Sequence, residues 1–110
     1  DIGQKPQSLD EIQGQYIGLM KFQNNGIDKL KFFYDKLKNK SLEGINPLNS
    51  NIPFEKSYMT DLLQGLINEG NEIKAISINN GWLELDSLND YKIYQEMYAD
   101  GTLSLFFSIP

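Results

Sequence analysis

The strongest constraint on folding is a helical repeat of apolar residues in segment 59–67. Spacings of i, i+3, i+4, i+7 and i+8 place such residues on one helix face, and here they are Met59, Leu62, Leu63, Leu66 and Ile67. Thr60 is a candidate N-cap, Asp61 suits the positive helix end, and Gly70 is a candidate stop. A chain of 110 residues is long enough for one domain with one core around such a helix.

Other segments predict two more helices and several strands. A helix opens at Asn25-Gly26, and another is capped by Ser87 and ends at Gly101. The predicted strands are 1–6, 15–22, 73–79 and 82–85, with a turn signal at Asn79-Asn80-Gly81. This order predicts a mixed α/β fold. Because so small a sheet leaves apolar edges exposed, we expect that the chain is incomplete or pairs with another copy.

The sequence contains neither histidine nor cysteine. A Ser-His-Asp triad and thiolate metal sites are therefore excluded, and the remaining carboxylates, lysines and hydroxyls favour hard cations and phosphate chemistry. The net charge of -5 argues against general nucleic-acid binding. No apolar run approaches the roughly 20 residues of a membrane span, and no secretory leader opens the chain, so we expect a cytoplasmic protein.

Several sequence blocks occur in a characteristic order. They are Ile2-Gly3-Gln4-Lys5-Pro6, Gln13-Gly14-Gln15-Tyr16-Ile17-Gly18-Leu19-Met20-Lys21-Phe22, Tyr58-Met59-Thr60-Asp61-Leu62-Leu63-Gln64 and Gly81-Trp82-Leu83-Glu84-Leu85-Asp86-Ser87-Leu88-Asn89-Asp90-Tyr91. Together they resemble the carboxyl-terminal half of a nucleotidyltransferase family. Its members include phosphocholine cytidylyltransferases, aminoalkylphosphonate cytidylyltransferases and sugar-1-phosphate nucleotidyltransferases. The resemblance implies the carboxyl-terminal portion of a Rossmann-like α/β fold with a mixed sheet, incomplete in this chain. It assigns residues 1–101 to that domain and leaves residues 102–110 as an apolar tail, either a strand or a docking segment.

The resemblance also implies a reaction. The complete protein is expected to transfer a nucleoside monophosphate, with CMP favoured, from a nucleoside triphosphate such as CTP, releasing pyrophosphate. The acceptor is a phosphorylated small molecule such as phosphocholine, an alkylphosphonate or a sugar 1-phosphate, and Mg²⁺ is the cofactor. The family's Gly-rich nucleotide loop and first metal-binding aspartate belong to an amino-terminal half, which we expect as the partner of an otherwise inactive fragment. The alternative is a non-catalytic acidic α/β interaction or oligomerisation domain, with a homo-oligomer as one form.

Four residues are candidate site residues through this resemblance. Asp86 matches the family's second metal-binding aspartate, and its alternative role is part of the cap of the next helix. Lys5 matches the lysine that contacts the acceptor phosphate, and its alternative is a solvated surface lysine. Gly18 matches a glycine beside the acceptor site, or it forms a strand bulge. Tyr16 is a candidate contact for the acceptor head group, or it is a packing residue.

Overall fold

The computed structural model describes residues 1–107 and divides the chain into two compact units, Asp1–Ala75 and Ile76–Pro110. Over the described range the α-helices are α1 (Asn25–Ser41), α2 (Met59–Asn68) and α3 (Leu88–Ala99). Single 3₁₀ turns occur at Leu9–Glu11, Phe54–Lys56 and Thr102–Leu105. Within residues 1–107, no helix has both the length and the hydropathy needed to cross a bilayer. The domain boundary predicted at residue 101 stays a prediction.

The first unit is built on the packing of α1 against α2. The buried cluster is formed by Phe33, Leu37, Leu62 and Leu66, with Phe22, Leu30, Leu48 and Phe54 packed around it. Gly65 packs directly against this cluster, because an added Cβ would stand 2.8 Å from Leu48 Cδ2 and 3.0 Å from Phe33 Cζ. The centre of the apolar face predicted for the segment 59–67 therefore is buried, at Leu62, Leu63 and Leu66, whereas Met59 at its start is exposed. A glycine within that helix allows the close packing.

The ends of α2 match the sequence prediction at one end only. The predicted N-cap Thr60 is wrong, because the helix begins at Met59 with Tyr58 in the capping position. The reason is Asp61, whose carboxylate accepts a hydrogen bond from the Tyr58 N–H at 2.9 Å and so moves the start upstream. At the other end Gly70 has φ +83°, and its N–H and that of Asn71 donate to carbonyls of the last turn at 2.8 and 3.0 Å. Gly70 therefore stops the helix as predicted.

A buried asparagine organises the loop between α1 and α2. The Asn46 Nδ2 donates to the Ile52 carbonyl at 3.1 Å and to Ser57 Oγ at 2.8 Å. Its Oδ1 accepts from the Leu48 N–H at 3.0 Å. A buried amide of this kind is tolerated because both ends of the side chain have partners. This tertiary arrangement was not visible in the sequence.

The predicted mixed sheet and Rossmann-like α/β fold are wrong, since residues 1–107 contain helices and no strand or sheet. The segments predicted as strands, 1–6, 15–22, 73–79 and 82–85, form no strand pairs among those residues. A strand exists only through hydrogen bonds to a neighbour about 4.8 Å away. Apolar and aromatic composition indicates a preference for such a surface without supplying the neighbour.

The predicted turn at Asn80-Gly81 has the expected left-handed backbone, with φ 60° and 78° at its two residues. It does not join two strands. Asn80 Nδ2 donates to the Leu105 carbonyl at 3.0 Å, and the Gly81 N–H donates to the Phe106 carbonyl at 2.8 Å. The described part of the tail forms the 3₁₀ turn Thr102–Leu105 and, up to residue 107, no strand. Of the two alternatives for residues 102–110, the docking segment stays a prediction, and residues 108–110 lie outside the described range.

Candidate functional site

Asp86 lies between segment 82–85, which has no regular secondary structure, and the start of α3. The preceding segment is held to the helix because the Tyr94 hydroxyl donates to the Glu84 carbonyl at 2.7 Å. The Asp86 side chain is exposed, and within residues 1–107 its carboxylate has no hydrogen-bond or ion-pair partner. A carboxylate held on a fixed backbone and left free to bind is suited to a cation or to water.

The cap of α3 is formed by Ser87, as the sequence predicts, together with Asp90. Ser87 Oγ accepts from the Asp90 N–H at 3.2 Å, and Asp90 Oδ2 accepts from the Ser87 N–H and the Ser87 hydroxyl, both at 2.8 Å. Asp90 Oδ2 also accepts from the Asp86 N–H at 3.2 Å. The hydrogen bond from the Ser87 side chain, followed by that from its backbone, lowers the pKa of Asp90.

This geometry separates the two roles weighed for Asp86. Its backbone N–H takes part in the cap network, whereas its carboxylate does not. The sequence marks Asp90 as the third helical residue of a capping pattern, but it did not show that the same carboxylate reaches back to Asp86. That link depends on where the chain enters the helix.

Lys5 lies in the first unit, at the end of a segment that is attached to α2. The Ile2 N–H donates to Gln64 Oε1 at 2.7 Å. Gly3 has φ +71°, and a Cβ added there would stand only 2.7 Å from Thr60 Cβ. Lys5 itself is exposed and forms no ion pair within residues 1–107. The ammonium group is therefore available to an external anion.

Tyr16 and Gly18 lie in a loop of the first unit, not in a strand. Tyr16 is half-buried, and its hydroxyl contacts Met20 Sδ at 3.9 Å. Gly18 has φ +80°, with no atom within 4 Å of the position of a Cβ. The alternative role of Gly18, a strand bulge, is wrong because segment 15–22 forms no strand. The glycine is required by its backbone conformation, and no neighbour in the described residues covers it.

The carboxylates of the described residues could supply one ligand to a Mg²⁺ ion, but they do not form a complete metal site. Residues 1–107 contain no group of three or more acidic side chains able to hold a metal ion. Mg²⁺ is usually held by one or two carboxylates together with substrate phosphates and waters. The unpartnered Asp86 carboxylate fits that smaller requirement. Lys5, Tyr16 and Gly18 belong to the unit Asp1–Ala75 and Asp86 to the other, and all four assignments stay predictions.

Comparison with known proteins supplies the decisive relationship. Over 96 residues, which are 87% of this chain, the sequence is 36% identical to the CTP:phosphoglutamine cytidylyltransferase of Campylobacter jejuni. The chain is related to the cytidylyltransferases. The chain spans 36% of the length of the Campylobacter enzyme. No family model and no solved structure matches the chain. The family resemblance predicted from the ordered sequence blocks is confirmed at this level.

Proposed function

We propose that this chain is part of an enzyme that transfers CMP from CTP to a phosphorylated small molecule. The observation that supports the proposal is the 36% identity over 87% of the chain to an enzyme named for CTP and phosphoglutamine. Phosphoglutamine therefore joins phosphocholine, alkylphosphonates and sugar 1-phosphates as candidate acceptors. Because the chain spans 36% of that relative, we propose that the nucleotide site is completed by polypeptide outside these 110 residues.

The proposed reaction is a displacement at phosphorus. An oxygen of the acceptor phosphate forms a bond to the α-phosphorus of CTP, the bond from that phosphorus to the bridging oxygen breaks, and pyrophosphate leaves. Negative charge is spread over phosphate oxygens throughout, so the protein contributes by positioning groups and by placing positive charge near them. Mg²⁺ bound at such a site neutralises part of the phosphate charge.

In this proposal each candidate residue has a distinct task. The Asp86 carboxylate would hold the Mg²⁺ ion together with phosphate oxygens. The exposed Lys5 ammonium would hold the acceptor phosphate as a flexible point charge. The uncovered backbone at Gly18 would admit the acceptor, and the half-buried ring of Tyr16 would contact its head group. These tasks require no histidine or cysteine, which the chain lacks.

The test is pyrophosphate release by the complete protein with CTP and each candidate acceptor. Asp86→Ala is expected to reduce kcat/KM by at least about 100-fold, because it removes the carboxylate proposed to hold Mg²⁺ at the reacting phosphates. Asp100→Ala is the matched control: it removes an exposed aspartate at the other end of α3 and is expected to retain activity. Full turnover by Asp86→Ala would refute the metal role, and no pyrophosphate with any acceptor would refute the reaction.

A second candidate function, a non-catalytic interaction domain, is favoured by the exposed apolar side chains of the second unit. Helix α3 buries no residue among those described, and Ile76 and Tyr98 are 84% and 76% exposed. Such side chains are typical of a surface that another polypeptide covers, either the rest of the same protein or a second copy. Self-association in sedimentation experiments, without Mg²⁺-dependent CTP binding in calorimetry, would favour this function over the enzyme.

A further inference from the structure

We propose that Asp90 is a positioning residue for Asp86. The Asp90 side chain and the Asp86 backbone belong to one hydrogen-bond network at the start of α3, in which Asp90 Oδ2 accepts from the Asp86 N–H at 3.2 Å. The same oxygen accepts from the N–H and the hydroxyl of Ser87, both at 2.8 Å. This inference rests on the proposed function, in which the Asp86 carboxylate holds the metal ion.

The network extends beyond what a helix cap requires. In a capping box the acidic side chain at the third helical position satisfies the N–H of the N-cap residue. Here that residue is Ser87, and its N–H is satisfied by Asp90. The additional bond goes to Asp86, which precedes the N-cap. It restrains the peptide from which the Asp86 side chain projects.

Neighbouring carboxylates in the second unit thus differ in availability. One oxygen of Asp90 accepts three donors from the chain. The Asp86 carboxylate, by contrast, has no partner within residues 1–107. Asp90 would have to break its cap bonds to turn that oxygen to a cation, whereas Asp86 would break none. The geometry therefore assigns binding to Asp86 and orientation to Asp90.

Orientation of this kind has a measurable effect on metal binding. Groups that hold a metal ligand in place typically change metal affinity or activity by about 10- to 100-fold when they are removed. We expect Asp90→Ala to weaken metal binding by a factor in that range. Asp90→Glu is expected to recover part of the affinity, because glutamate is the common acidic residue at this capping position.

The experiment measures Mn²⁺ binding to the complete protein with CTP present, using the electron paramagnetic resonance signal of free Mn²⁺. The variants are Asp86→Ala, Asp90→Ala, Asp90→Glu and Ser87→Ala. Ser87→Ala is the matched control, since it removes the cap acceptor of the Asp90 N–H but keeps the backbone donors of Asp86 and Ser87. It is expected to destabilise α3 while leaving Mn²⁺ affinity near that of the unchanged protein.

The outcomes separate the positioning role from the proposed function. Equal loss of Mn²⁺ affinity in Asp90→Ala and Ser87→Ala, without recovery in Asp90→Glu, would make Asp90 a cap only and overturn the positioning role. Weaker Mn²⁺ binding in Asp86→Ala with unchanged binding in Asp90→Ala would overturn the positioning role of Asp90 but not the metal role of Asp86. Unchanged binding in Asp86→Ala would overturn the metal role of Asp86 and the positioning role together. The NMR amide shift of residue 86, compared between Asp90→Ala and Asp90→Glu, reports the hydrogen bond independently of catalysis.

Discussion

The two units of this chain are stabilised in different ways. In Asp1–Ala75, α1 and α2 bury a cluster of apolar side chains against each other. In the described part of the second unit, α3 buries no residue, and the visible restraints are hydrogen bonds at its cap, at Tyr94 and at the Asn80-Gly81 turn. Packing selects which helices meet, whereas capping selects where a helix begins. The predicted metal ligand Asp86 lies where capping controls the backbone.

The largest expected effect comes from removing a core ring of the first unit. Phe33→Ala should destabilise α1 and α2 by about 3–5 kcal/mol, because Phe33 is 4% exposed and the vacated volume cannot be refilled. Leu88→Ala in α3 should change stability by less than about 0.5 kcal/mol, because Leu88 is 69% exposed. Amide hydrogen exchange in each helix measures both effects. A large loss of protection in α3 of Leu88→Ala would erase the contrast between the units.

An intermediate effect is expected from adding one methyl group at a helix glycine. Gly65→Ala should cost about 1–3 kcal/mol, since the new Cβ would stand 2.8 Å from Leu48 Cδ2. Gly26→Ala, in α1, meets no atom within 4 Å and should stabilise by about 0.4–1 kcal/mol through the unfolded state. Opposite shifts in the urea midpoint of far-UV circular dichroism are the expected result. Stabilisation by both substitutions would show that the packing at Gly65 is loose.

The smallest expected effect is a pH dependence of α3. The pKa of Asp90 is lowered by hydrogen bonds from Ser87, and that of Asp100 by hydrogen bonds from the side chain and backbone of Thr102. A folded-state pKa below the unfolded value stabilises the fold above that value, near pH 4, and the contribution is lost as the pH falls through the folded-state pKa. The Cα chemical shifts of residues 88–99 should therefore move toward random-coil values as the pH falls below about 4. Unchanged shifts would show that these carboxylates do not support the helix ends.

The helices could be predicted because their signals are local. The apolar repeat in α2, the Gly70 stop and the Ser87 cap each depend on residues within a few positions of one another, and all are present in the structure. The strand predictions failed because a strand depends on a distant partner, and residues 1–107 supply none. The N-cap prediction at Thr60 was wrong for a local reason: the Asp61 carboxylate accepts a hydrogen bond from the Tyr58 N–H, which places the cap at Tyr58.

For the candidate site, too, local sequence order was predictable and the three-dimensional arrangement was not. The family relationship, and with it the interest in Asp86, was available from the order of short blocks and is confirmed by the Campylobacter relative. Two features of the site were not available from the sequence: the Asp86 carboxylate has no partner within residues 1–107, and the Asp86 N–H donates to Asp90 Oδ2. Both depend on the path of the backbone into α3.

The sequence alone therefore determined the helices, the caps at Ser87 and Gly70, and the relationship to cytidylyltransferases, because these follow from nearest neighbours and from identity along the chain. Only the tertiary structure decided that Gly65 allows α2 to pack closely, that Asn46 organises a loop and that the apolar segments within residues 1–107 form no sheet. Each of these depends on residues distant in sequence meeting in space, and no local pattern specifies such a meeting.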